Sequence, residues 1–252
     1  MNKIHRLTLI GIIINLAMFL LALNEVNSLS DYYGYDRTLR LIKDLVTIVL
    51  PFAIVVQVVS VFLLPKVPRV GIVFAYIGGI AMVPIGLLFL IGYLFSYERY
   101  CNANLDVYNP EAAVEISKPE DKNYKLTCDT SRFTPTGAIA LCMGVIVLVM
   151  GVGIGYLLVA VGILNIWNGV RLKERVMIGL SGDKLIVKPK LYSDTFIVPL
   201  NEIVLTGKGV TNDTVSLKFL RTGRAFSVRK KMLAGENIDE SLEYIISKIP
   251  TA

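Results

Sequence analysis

Ionisable side chains are missing from four long stretches of this chain: residues 7–23, 45–64, 70–95 and 137–167 contain no Asp, Glu, Lys, Arg or His. About 20 apolar residues suffice for a helix to cross a hydrocarbon core roughly 30 Å thick, so each block is long enough or nearly so. The chain therefore reads as a membrane protein. The same absence argues against transport or conduction, which ordinarily leave ionisable groups within the spans. The string Gly-Val-Gly-Ile-Gly-Tyr at 151–156 looks superficially like a potassium-channel filter, but such a filter sits on a re-entrant loop between helices, and a channel is set aside.

Histidine is nearly absent as well. His5, at the extreme N-terminus, is the sole one, which excludes histidine-based dyads and most metal sites. No G-x-S-x-G, H-E-x-x-H, P-loop or C-x-x-C occurs. The expectation is a non-enzyme without cofactor or metal. Nucleic-acid binding is not expected either, since the basic positions lack interleaved aromatics and a recognition motif.

What the chain does have is an uneven charge. Hydrophobic residues make up 54% of 252 positions and the net charge is +6. From residue 170 onward there are 14 Lys+Arg against 9 Asp+Glu, leaving 12 against 11 before it. Cations near span ends are retained on the cytoplasmic side. Lys3 and Arg6 precede the first block, Lys66 and Arg69 follow the second, and Arg171, Lys173 and Arg175 follow the fourth. In a four-span reading all three groups fall on one side. The expectation is a four-helix membrane domain over 1–169, an outside loop at 96–136, and a cytoplasmic domain over 170–252, with both termini inside. The 17-residue first block exceeds a signal-peptide core and no clear A-x-A site follows it, so it is retained as an anchor.

Cys101 and Cys128 fall in the loop placed outside, where a disulfide would persist. A bridge would close 28 residues and stabilise by roughly 3 to 4 kcal/mol. Two unpaired thiols are the alternative. Cys142, inside the fourth block, reads as a small packing residue.

Glycines Gly137, Gly144, Gly151, Gly155, Gly162 and Gly169 are separated by 7, 7, 4, 7 and 7 residues and share one helical face within roughly 40°. The unbroken phase favours one long tilted helix over a hairpin turning near 151–153, with Trp167 at the inner headgroups. Such a stripe either packs on the other spans or forms a homodimer interface. Asn15 and Gln57 are the only side-chain amides well inside the first three blocks and read as interhelical hydrogen-bonding residues. Pro51 and Pro84 predict kinks.

The last third alternates between short β-branched runs and turns. Strands are expected at 176–180, 184–188, 195–198, 203–206, 214–220 and 225–230, with Val215, Leu217 and Phe219 on one face. Asn237 with Glu240 forms a helix start, and Ile238, Leu242, Ile245, Ile246 and Ile249 recur at helical spacing. The first hairpin at 178–187, the strand at 196–203 and the closing helix at 239–249 give an antiparallel α+β domain. It resembles the pleckstrin-homology-like fold, specifically the bacterial PH-like domains that follow transmembrane helices. That resemblance implies a bacterial inner-membrane protein whose tail binds a partner protein or membrane lipid.

The candidate binding residues are Lys184, Lys188 and Lys190 beside one hairpin and Arg221, Arg224, Arg229, Lys230 and Lys231 beside another. A tethered basic face gains about 1 kcal/mol per cation near anionic lipid. The other expected role is immunity, with the 101–128 loop recognising a membrane-acting toxin.

Overall fold

The computed structural model describes residues 3–33, 37–105, 108, 125–208 and 213–251. It divides into two compact units, Met1–Cys101 and Asn102–Ala252.

The first unit is helical. Helix α1 spans Arg6–Tyr33; α2 (Arg37–Asp44) runs through a π-helical stretch, Leu45–Val49, into α3 (Leu50–Leu63). The π stretch lies just ahead of Pro51, whose missing N–H breaks the i→i−4 ladder at the point where a kink was expected.

The third apolar block is not one kinked span. It folds as two helices, α4 (Pro68–Ile80) and α5 (Gly86–Cys101), around a turn holding the cis Val83–Pro84 peptide. Proline disfavours helical backbone in the residue before it, which ends α4, and Gly86 then lies so close to Gly79 O that a Cβ would come within 2.1 Å. Small residues let the helices meet. A Cβ on Gly11 would strike the Phe89 backbone, one on Gly92 would strike Thr8 N, and one on Gly78 would strike Ala53 O. α5 thus lies along the part of α1 that precedes Asn15, while α4 lies against α3.

Polar side chains lock this packing. Asn15 donates to Gln57 Oε1 at 2.9 Å, and Gln57 Nε2 donates to Gly78 O at 2.8 Å, tying α1, α3 and α4. Tyr93 OH donates to Ser60 O at 2.9 Å, and Thr8 shares a hydrogen bond with Ser96 at 2.8 Å. The two amides singled out in the sequence are bonded to each other.

The second unit contains β1 (Lys125–Cys128), α6 (Phe133–Val149), α7 (Gly155–Leu172), β2 (Val176–Ser181), β3 (Lys184–Val187), β4 (Phe196–Pro199), β5 (Ile203–Lys208), β6 (Thr214–Phe219), β7 (Ala225–Arg229), β8 (Leu233–Ala234) and α8 (Ile238–Ser247). The sheets have orders β4-β3-β2-β1-β8 and β5-β6-β7, and their neighbouring strands pair antiparallel. Between them lies a core of Leu126, Ile178, Leu185, Val198, Ile203, Leu217 and Phe219, each at most 1% exposed, with Leu242 and Ile245 of α8 packed into it. Tyr108 stacks on Phe219 at 5.9 Å and donates to Glu202 Oε2 at 2.6 Å.

Two expectations about the fourth block are overturned. It is a helical hairpin, α6–α7, turning at Gly151, where φ is +77° and a side chain would be strained. The glycine stripe is folded onto itself rather than onto other spans or a second copy: Gly137 and Gly144 meet Gly162 and Gly155 across the hairpin. Moreover, β1 precedes the hairpin, β2 follows it, and the two strands pair, Leu126 opposite Ile178. Residues 125–128 therefore share a sheet with the tail and cannot lie across a membrane from it. Residues 106–107 and 109–124 of the expected outside loop fall outside the described residues.

Among the described residues, three helices are long and apolar enough to span a membrane, over Arg6–Ser28, Arg40–Leu63 and Gly155–Leu172; α4 and α6 are shorter apolar helices.

Candidate functional site

Beyond its base, from Gly137 to Val149 and from Gly155 to Leu164, the α6–α7 hairpin is apolar all round. Only its glycine face is covered; Ile139 is 65% exposed, Val149 84% and Val170 71%. A helix pair with no polar face needs hydrocarbon around it. At its base the chemistry changes within one turn. Arg171 lies over the Trp167 ring at 4.9 Å and the Tyr192 ring at 5.3 Å, and donates to Leu191 O at 2.7 Å. Asn168 Nδ2 donates to Tyr192 OH at 3.3 Å. The base of α7 is thereby fixed to the segment after β3.

Lys188 closes that segment. It is buried, its amide donates to Met177 O at 2.8 Å, and its ammonium donates to Ser193 O. Ser193 Oγ accepts from Lys190 N at 2.9 Å, which completes a tight turn. Burial, and after it the nearby Arg171 charge, push Lys188 down to about 8.

A cavity of about 270 Å³ opens on the same end of the unit, lined by Cys128, Asp129, Arg132, Phe133, Thr136, Asn165, Lys231 and Met232. Asp129 Oδ1 accepts from Ser131 N at 2.9 Å, and its N–H donates to Met232 O at 2.9 Å. The bonds to Ser131 hold the Asp129 carboxyl below its ordinary range, so it is ionised at neutral pH, whereas burial pushes the Cys128 thiol up. The walls thus combine two cations, one carboxylate, a hydroxyl, an amide and the apolar sides of Phe133 and Met232.

The eight basic residues named from the sequence do not form one face. Lys188, Arg229, Lys230 and Lys231 lie toward the hairpin base, because β2 leaves α7 there and Met232 is bonded to Asp129. Lys184 lies at the far turn of β2–β3, where Asp183 O accepts from Leu200 N. Arg221 and Arg224 lie at the β6–β7 turn beside it, since Glu202 O accepts from Leu220 N. Lys190 is exposed on the Ser193 turn. Lys230 pairs with Asp239, and Lys231 lies 3.7 Å from Asp213. The base also gathers Arg132, Arg171, Lys173 and Arg175. Arg132 and Arg171 were not among the candidates, although one cation on either side of an apolar block of two short helices was the available signal.

The expected Cys101–Cys128 bridge is absent: both thiols are free, and Cys128 is buried in β1, facing the sheet core. No protein-family model, curated protein or solved structure matches this chain.

Proposed function

We propose that the chain is a non-enzymatic integral membrane protein of the bacterial inner membrane whose PH-like β domain docks on the anionic cytoplasmic leaflet. One observation carries this reading: the hairpin, apolar beyond its base, and the larger part of the basic side chains lie at the same end of one folded unit. The hairpin anchors, and Arg132, Lys173, Arg175, Lys230 and Lys231 collar its base, each cation near the surface contributing about 1 kcal/mol. Two packed antiparallel sheets closed by α8 support the PH-like reading, with β1 and the hairpin placed ahead of the six strands expected.

The threading that fits the fold differs from four spans. α1 and the α2–α3 helix cross, while α4–α5 and α6–α7 each enter and leave by one face. Lys66, Arg69, Arg132 and Arg171 then share the cytoplasmic side. The immunity reading drew on the lack of transport or catalytic groups in the spans and on an exposed, bridged 101–128 loop; the thiols are free, and the reading stands as the alternative without the bridge.

Hydrogen exchange of the full chain in nanodiscs tests the docking. With one-third phosphatidylglycerol, amides of 190–194 and 230–232 should exchange several-fold more slowly than in pure phosphatidylcholine. Replacing Arg132, Lys173, Arg175, Lys230 and Lys231 together by Gln should erase the difference. Equal exchange of the native chain in both discs would contradict docking.

A further inference from the structure

The cavity at the hairpin base sits where an amphiphile changes character. Asn165 lies on α7 two residues toward the turn from Trp167, and Thr136 lies on the first turn of α6; both are on the side of the apolar helices. Asp129, Arg132 and Lys231 lie on the side of the β domain. Trp rings and Arg side chains at a helix end mark the headgroup level, which places the cavity mouth between phosphates and the first acyl carbons.

The lining fits a headgroup in size and charge. Whole small-molecule ligands occupy clefts of roughly 300–1,000 Å³, so about 270 Å³ takes a headgroup and leaves acyl chains outside along the hairpin. Arg132 and Lys231 face Asp129 in the lining and Asp213 beside Lys231, and Lys188 and Arg171 lie close enough to act on the lining Cys128, so positive charge prevails and favours a guest with net negative charge. Arg132 offers the planar fork that suits a phosphodiester. Lys231 lies 3.7 Å from Asp213, beyond hydrogen-bond range, so its donors remain for a guest. Asn165 gives one amide hydrogen to Val161 O at 2.9 Å, keeping its carbonyl oxygen; with the Asp129 carboxylate it would accept hydrogen bonds from headgroup hydroxyls. Phe133 and Met232 supply apolar walls for the glycerol.

We infer that this cavity is a stoichiometric site for one anionic phospholipid whose headgroup carries hydroxyl donors, of the phosphatidylglycerol type. It deepens the docking reading and rests on the same membrane placement, yet differs in kind: docking depends on summed charge, whereas this site depends on shape.

Native mass spectrometry of the full chain, released from micelles holding equimolar palmitoyl-oleoyl phosphatidylglycerol and phosphatidylcholine, is the test. One phosphatidylglycerol should be retained per chain, at least tenfold over phosphatidylcholine. Thr136→Phe fills the cavity without changing charge and should abolish retention, while leaving the slow exchange of 190–194 in anionic nanodiscs intact. Lys231→Glu should lower retention at least tenfold, and Lys184→Glu, at the far turn, should leave it unchanged. Folding of each variant is checked by exchange of the β2, β3 and β6 amides. Equal retention of both lipids, or full retention in Thr136→Phe, would overturn the site. Loss of anionic protection in the native chain would instead overturn the docking reading beneath it.

Discussion

Gly144 and Gly155 face each other across the α6–α7 hairpin: a Cβ on Gly144 would lie 2.9 Å from Gly155 O, and one on Gly155 would lie 2.7 Å from Gly144 O. The obstruction is backbone on both sides, so it cannot be relieved by a rotamer change. Gly155→Leu should push the helices apart and lower hairpin stability by about 1–3 kcal/mol, the usual range for overpacking. Gly153, with nothing within 4 Å, is the control, and Gly153→Leu should be near neutral. Denaturation in mixed micelles, followed by the emission of the sole tryptophan, Trp167, measures both.

The Asn15–Gln57 pair gives the corresponding test in the first unit. Both side chains are fully buried, and Gln57 also serves Gly78 O. A double-mutant cycle with Asn15→Leu and Gln57→Leu should return a coupling of about 1 kcal/mol, since interhelical hydrogen bonds in lipid average below the value expected for hydrocarbon. Gln57→Leu alone should cost more than Asn15→Leu, because it removes a donor from a buried carbonyl as well. Equal single-mutant costs with no coupling would mean the bond contributes nothing.

Lys188 makes the stability of the β domain depend on pH. Its amine, ordinarily titrating at 10.5, is brought to about 8 by burial, with Arg171 and Arg175 adding repulsion and Asp194 and the Cys128 sulfur opposing them. Between those values the unfolded chain holds a proton that the folded chain has released, so stability rises with pH across the window. Below pH 8 the full cost of the buried charge is present. Measured from pH 7 to 10.5, native stability should gain up to about 3 kcal/mol relative to Lys188→Met, which has no amine to titrate. Parallel curves would contradict this. Lys188→Met should also speed exchange at 190–194, because the bond to Ser193 O is lost.

The six strands and closing helix of the β domain were legible because period-2 burial and turn residues leave a local record, as in Val215, Leu217 and Phe219. The interhelical role of Asn15 and Gln57 was legible too, since amides among apolar residues must find partners on other helices; that they bond to each other was not. The hairpins were not. Seven-residue glycine spacing serves a straight helix and two antiparallel halves equally well, and the four-residue step across Gly151 kept the phase through the bend. In the third block, Pro84 carried the same ambiguity between kink and turn; the deciding feature, Gly86 against Gly79 O, is a tertiary contact. β1 escaped notice because four residues, Lys125–Cys128, gain strand character only from their neighbours β2 and β8. Once Cys128 was taken as half of a bridge, its role as a core residue was hidden. The cavity was likewise invisible, for its lining comes from three separate stretches, 128–136, 165 and 231–232.

The central claim is that the last apolar block returns to the face it left. Single cysteines at Thr130 and Glu174, introduced after replacing Cys101, Cys128 and Cys142 by alanine, flank the hairpin and test it with a membrane-impermeant maleimide. Both positions should react in inverted inner-membrane vesicles and both should be protected in intact spheroplasts. Reaction of Thr130→Cys in spheroplasts, with Glu174→Cys protected there, would place the two ends on opposite sides and contradict the hairpin.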